Sequence, residues 1–104
     1  MSMKPITDSA EVAVEFPEKT YIGSFGRHAA FDAAAEREGI LLKLKHGGNE
    51  KRAVEMHLHW YLFADVLNEI AATLERSPAL LDAAHRDPLA AAAGRIAKAT
   101  RGGA

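Results

Sequence analysis

Glu55, His57 and His59 are the residues of this chain whose types and spacing best suit chemistry. They alternate with Met56 and Leu58, so on a strand, with its period of two, the three polar side chains share one face and the apolar ones take the other. Adjacent same-face positions lie roughly 7 Å apart, close enough for two imidazoles to converge on one ion. The His57-x-His59 pair is therefore half of a site for a divalent transition metal such as zinc, with Glu55 beside it and His46 or His28 as further candidate ligands. The competing reading, a solvated or oligomer-facing strand surface, is the stronger. Two histidines without a fixed third ligand have little specificity. Hairpin pairing also sets Lys43 or Lys45 opposite Glu55, where an ammonium opposes a bound cation.

The strand that carries these residues passes directly into a helical pattern. No Ser, Thr, Asp or Asn stands at that junction as an N-cap, so His59 is expected to meet a free backbone group there. Trp60, Tyr61 and Phe63 put three rings into four positions, and one small core cannot take them all. Tyr61 is the one expected to be exposed or at an interface. Leu41, an apolar residue on the polar face of the preceding strand, is the second interface candidate.

Nucleophile and phosphate motifs are absent. Ile22-Gly23-Ser24-Phe25-Gly26 lacks the glycine two residues before the serine that a nucleophile elbow requires. Gly47-Gly48-Asn49 lacks the Gly-Lys-Ser/Thr ending of a phosphate loop and reads as a hairpin turn. Asp32, Asp65 and Asp82 stand alone, and Asp65 with Glu69 is an i, i+4 pair on a polar helix face. Arg95, Lys98 and Arg101 complement the negative end of the last helix. The sequence thus predicts no enzyme and names no catalytic residue.

The elements that must position these residues follow from periodicity. Residues 10–16 alternate, with Pro17 ending the run, and 20–25 is a short aromatic stretch closed by Gly26. Residues 40–46 and 51–59 carry the clearest alternation and form a hairpin through the turn His46 to Lys51. The stretch 28–38 reads as a helix from its alanines, with Gly39 as cap, or as a strand over 28–35 turning at Glu36–Gly39. Its neighbours, strands joined by short turns, favour strand. Residues 61–76 show a helical stripe of Phe63, Val66, Leu67, Ile70 and Leu74. Ser77-Pro78 and Asp87-Pro88 each read as an N-cap followed by a first-turn proline, giving one or two short C-terminal helices. The fold class expected is α+β, an antiparallel β-meander followed by a long helix and short helices packed on one face. Residues 1–9 are expected to be disordered, 10–100 to form the domain, and 101–104 to fray.

Composition narrows the partners. With 104 residues, 13 basic and 14 acidic, the net charge is −1, which gives no field to attract nucleic acid. Ribbon-helix-helix proteins share the order strand, helix, helix from residue 51 onward. Their outward strand residues read base edges, whereas Glu55 here would repel phosphates. No cysteine is present, which excludes disulfides, thiolate nucleophiles and Cys-based metal sites. No apolar leader or membrane-length run occurs, so a cytoplasmic location without membrane contact is expected. The function these features favour is a noncatalytic interaction or accessory domain acting as a homo-oligomer or with a protein partner, without cofactor. The alternative is metal binding through His57 and His59.

Overall fold

Alternation of side-chain character marks the longer of the six strands described in the first sixty residues. The computed structural model describes residues 3–47 and 52–102, and the chain divides into two compact units, 1–65 and 66–104. The strands are β1 (Lys4–Pro5), β2 (Ala10–Phe16), β3 (Lys19–Phe25), β4 (Ala29–Ala35), β5 (Gly39–His46) and β6 (Arg52–His59). Helix α1 (Trp60–Arg76) follows β6 without a loop, and after a 3-10 turn at Pro78–Leu80 comes α2 (Ala83–Arg101). An antiparallel meander followed by two helices is the α+β order expected from the pattern.

The strands form two sheets. A four-stranded antiparallel sheet has the order β1-β4-β5-β6, while β2 and β3 pair only with each other. Residues 29–35, whose alanines also suit a helix, are a strand because β5 pairs with all seven of them, from Ala29 opposite His46 to Ala35 opposite Ile40. Ladder bonds on a strand hemmed between two others override a modest helical propensity. The β5–β6 register sets Glu55 opposite Lys43, Met56 opposite Leu42 and Val54 opposite Leu44. One face of this sheet therefore carries Phe31, Leu42, Leu44, Val54, Met56 and Leu58, and the other carries Asp32, Lys43, Glu55, His57 and His59.

Gly39 is required where the β4–β5 turn closes. A Cβ there would collide with the Leu58 carbonyl oxygen and stand 2.7 Å from the His59 Cα, both immovable backbone atoms. That close approach lets the Glu36 N–H donate to the Gly39 carbonyl at 2.8 Å and end the turn in three residues.

Several expectations need correction. The N-terminal stretch expected to be disordered holds a short strand: Lys4 and Pro5 pair with Phe31 and Ala30 of β4, and the Lys4 Nζ reaches Asp32 at 3.2 Å. Asp32 is correspondingly not isolated. The last helix starts not at Asp87-Pro88 but at Asp82, whose carboxylate accepts from the His85 N–H at 3.0 Å. Pro88 lies inside it, and α2 runs for 19 residues instead of being short. Arg101 is still helical, with the Gly102 N–H donating to the Lys98 carbonyl, so the fraying expected from 101 does not include Arg101. Most of the expected turn, 48–51, and residues 103–104 lie outside the described residues.

Among the described residues, buried side chains are few and belong to the strand unit. Phe25 is 3 % exposed and Ala29 5 %, with the Arg52 guanidinium 5.9 Å above the Phe25 ring. No residue of α1 or α2 is buried.

Candidate functional site

The polar face of β4–β6 gathers Glu55, His57 and His59 with the lysine expected opposite Glu55. It exists because odd-numbered positions of β6 and β5 and even-numbered positions of β4 share one side of the sheet. Lys43 and Glu55 meet across the ladder at 3.1 Å, the lysine partner expected for Glu55. A cross-strand pair of this exposure contributes well under 1 kcal/mol.

His57 and His59 are neighbours on this face, with ring centroids 4.9 Å apart. The carboxylate that joins them is Glu36, not Glu55: its Oε1 lies 3.5 Å from His57 Nε2, while Glu55 is turned to Lys43. Glu36 was missed because it sits in the turn, where alternation stops assigning faces. Extending the β4 parity one residue past Ala35 would have placed it. His46 does not join the cluster. It stands opposite Ala29 and Arg52 on the other face, and its Nδ1 is 2.8 Å from the Gly47 carbonyl. His28 lies before β4, outside the ladder. Among the described residues, no group of three or more His, Asp or Glu side chains converges in a geometry that could hold a metal ion.

Asp32 is the buried ionisable residue of this face, 6 % exposed. The hydrogen bond from Lys4 holds its carboxyl below the usual 3.8, helped by the Ala33 N–H and the Lys4 and Lys43 charges and opposed by burial. Its role is structural, tying β1 to β4.

The strand-to-helix junction is closed by Trp60. Its backbone N–H donates to the Glu38 carbonyl at 3.2 Å and its Nε1 to the Arg37 carbonyl at 3.1 Å, so both donors are taken by the β4–β5 turn. Trp60 packs edge-on to Phe63 with centroids 6.4 Å apart. Tyr61 is 91 % exposed. Leu41 is half-buried, directly opposite His57.

The apolar face of the same sheet is only partly covered. The segment from Ile6 to Val12 runs along it and leaves a hollow of about 380 Å³ walled by Phe31, Leu42, Leu44, Val54 and Met56. Leu42 and Met56 remain 37 % and 52 % exposed. Among the described residues, no helix is long and apolar enough to cross a membrane. No family model, curated protein or solved structure matches the chain.

Proposed function

We propose that this chain is a noncatalytic interaction module of the cytoplasm that works as a homo-oligomer. The observation that carries the reading is the imbalance of its apolar surface. Among the described residues, Phe25 and Ala29 are the buried apolar ones, whereas Phe16, Tyr21, Ile22, Met56, Tyr61, Leu62 and Leu80, among others, are each more than half exposed. Uncovered apolar surface of this extent marks an interaction site in a protein that stays in solution. The near balance of 13 basic and 14 acidic residues suits a surface that buries against its own kind. Glu36, Glu55 and Asp32 on the polar sheet face speak against a phosphate backbone as partner. Sedimentation velocity of the purified chain tests the reading: a dimer or larger species at micromolar concentration is expected, and a monomer would overturn it.

A second reading, a zinc-class metal protein, is favoured by one observation, the Glu36 carboxylate 3.5 Å from His57 with the His59 ring beside it. Glu36, His57 and His59 are the three donors such a site would use, and Lys43 is already engaged by Glu55. A ligand that binds only the folded chain stabilises it by about 2.7 kcal/mol at a hundred times its Kd. A thermal midpoint raised by zinc, nickel or manganese and insensitive to them in Glu36→Gln and His57→Ala would establish this reading. An unchanged midpoint with every ion would remove it.

A further inference from the structure

The four-stranded sheet has two unlike edges. β1 is two residues long, a lysine and a proline, and these are devices by which natural sheets blunt an edge against further pairing. β6 ends the strand order on the other side with eight residues, Arg52–His59, none of them lysine or proline. Its ladder with β5 runs through all eight without a bulge. Glu55, Met56, His57 and His59 along it are exposed. A hollow of about 370 Å³ lies beside its Arg52–Val54 end, walled by Val14, Tyr21 and Ile22 of β2 and β3. An edge strand directs alternate backbone N–H and C=O groups away from the sheet, so this edge is a template for one more strand.

We propose that the strand that completes it is β6 of a second copy, antiparallel about a two-fold axis at Met56. This rests on the homo-oligomer reading and names its interface. The sequence of β6 selects the register, since antiparallel neighbours must present like faces to one another. An axis at Glu55 would set two carboxylates directly opposite each other, and an axis at His57 would stack two imidazoles while leaving Glu55 against His59. With the axis at Met56, Met56 faces its own copy, Val54 faces Leu58, and Glu55 faces His57 twice. Apolar therefore meets apolar and acid meets base throughout the centre of the strand.

The rows of the existing sheet extend across this junction. On the apolar face, Ala33, Leu42 and Met56 run into the second copy's Met56, Leu42 and Ala33, and Phe31, Leu44 and Val54 run into its Leu58, Ile40 and Ala35. On the polar face, Asp32, Lys43 and Glu55 alternate in sign, and the second copy's His57 continues the row. Pairing makes one eight-stranded sheet whose two ends are both the blunted β1.

Absence of cysteine makes the register directly readable. Opposed Cα atoms in an antiparallel pair lie about 4.5–5.5 Å apart, within the Cα span of a disulfide, whereas residues offset by four positions along the strand are separated by roughly 13 Å. The full-length M56C, V54C and L58C chains would be sized by sedimentation velocity, checked for native circular dichroism, and then mildly oxidised. Most M56C chains are expected to be trapped as covalent dimers. V54C and L58C should remain largely unlinked alone and become linked when mixed. A dimeric chain in which M56C is not trapped would overturn the β6 pairing and leave the homo-oligomer reading standing. A chain that sediments as a monomer would overturn both, whether or not it accepts an extended peptide from another protein. As a second measure, Met56→Lys places two ammonium groups opposite each other on the axis. It should shift the chain to monomer while circular dichroism is retained, and an unchanged dimer would count against the proposal.

Discussion

The strand unit and the helical unit are built from equally legible patterns, yet they hold themselves together differently. In residues 1–65 the backbone is fixed by long-range partners: ladders, the Lys4–Asp32 pair, the Trp60 bonds to the β4–β5 turn and the buried Phe25. In residues 66–104 the interactions are local, such as the Asp82 cap, the Thr73 hydroxyl donating to Ile70 and the Thr100 hydroxyl donating to Ile96. Helical periodicity is satisfied one turn at a time, whereas a strand has no structure until another strand is beside it. The stability of the first unit is therefore concentrated in a few contacts, and that of the second is spread over propensity and caps.

The largest effect should come from Phe25→Ala. Truncating a side chain 3 % exposed removes its burial and leaves a cavity, which costs about 3–5 kcal/mol. The loss should appear as a lowered denaturant midpoint of the strand unit, and a change under 1 kcal/mol would show that Phe25 is not its anchor. Gly39→Ala comes next, at about 1–3 kcal/mol, because the new methyl meets the backbone at Leu58 and His59 and not a side chain that can turn aside. Asp82→Ala should cost α2 about 0.5–2 kcal/mol by freeing the His85 N–H, read as reduced helical ellipticity, while Asp82→Ser should restore most of it.

The smallest effect is confined to acid. Asp32 has a folded-state pKa below its ordinary 3.8, so the carboxylate contributes stability above that value and the contribution is lost as pH falls through the folded value. Lys4→Met should lower the thermal midpoint at neutral pH and converge with the parent chain in strong acid. Equal midpoints at neutral pH would mean that the Lys4 bond does not hold β1 in place.

How much of this was legible depends on the range of the interaction that decides each element. β2 was predicted residue for residue, and β5 and β6 to within a residue at each described end, because alternation is a local signal and their pairing is sequential; β4, which its alanines left open between helix and strand, was favoured as a strand by its neighbours. The expected opposition of Glu55 to a lysine followed from the same parity. β1 was invisible: two residues have no period, and what defines them is Asp32, 28 positions away in sequence. The start of α2 was misplaced because Asp87-Pro88 is the stronger dipeptide signal, while Asp82 caps with no proline behind it. Pro88 is carried at the sixth helical position, where it lacks the N–H for a bond back to Ala84. Glu36 escaped notice because a turn residue gains its face only from the strands it joins.

The tie between Trp60 and the β4–β5 turn has an optical consequence. Trp60 is the single tryptophan of the chain, and its indole N–H is held by a backbone carbonyl of the strand unit. Its emission is thus a built-in gauge of that unit, shifting to the red when the turn lets go of the ring. Far-ultraviolet ellipticity at the helical minimum reports α1 and α2 instead. Following both signals through one denaturant series would show whether the two halves of the chain melt as a single cooperative body or in succession, since coincident transitions are the mark of two-state unfolding.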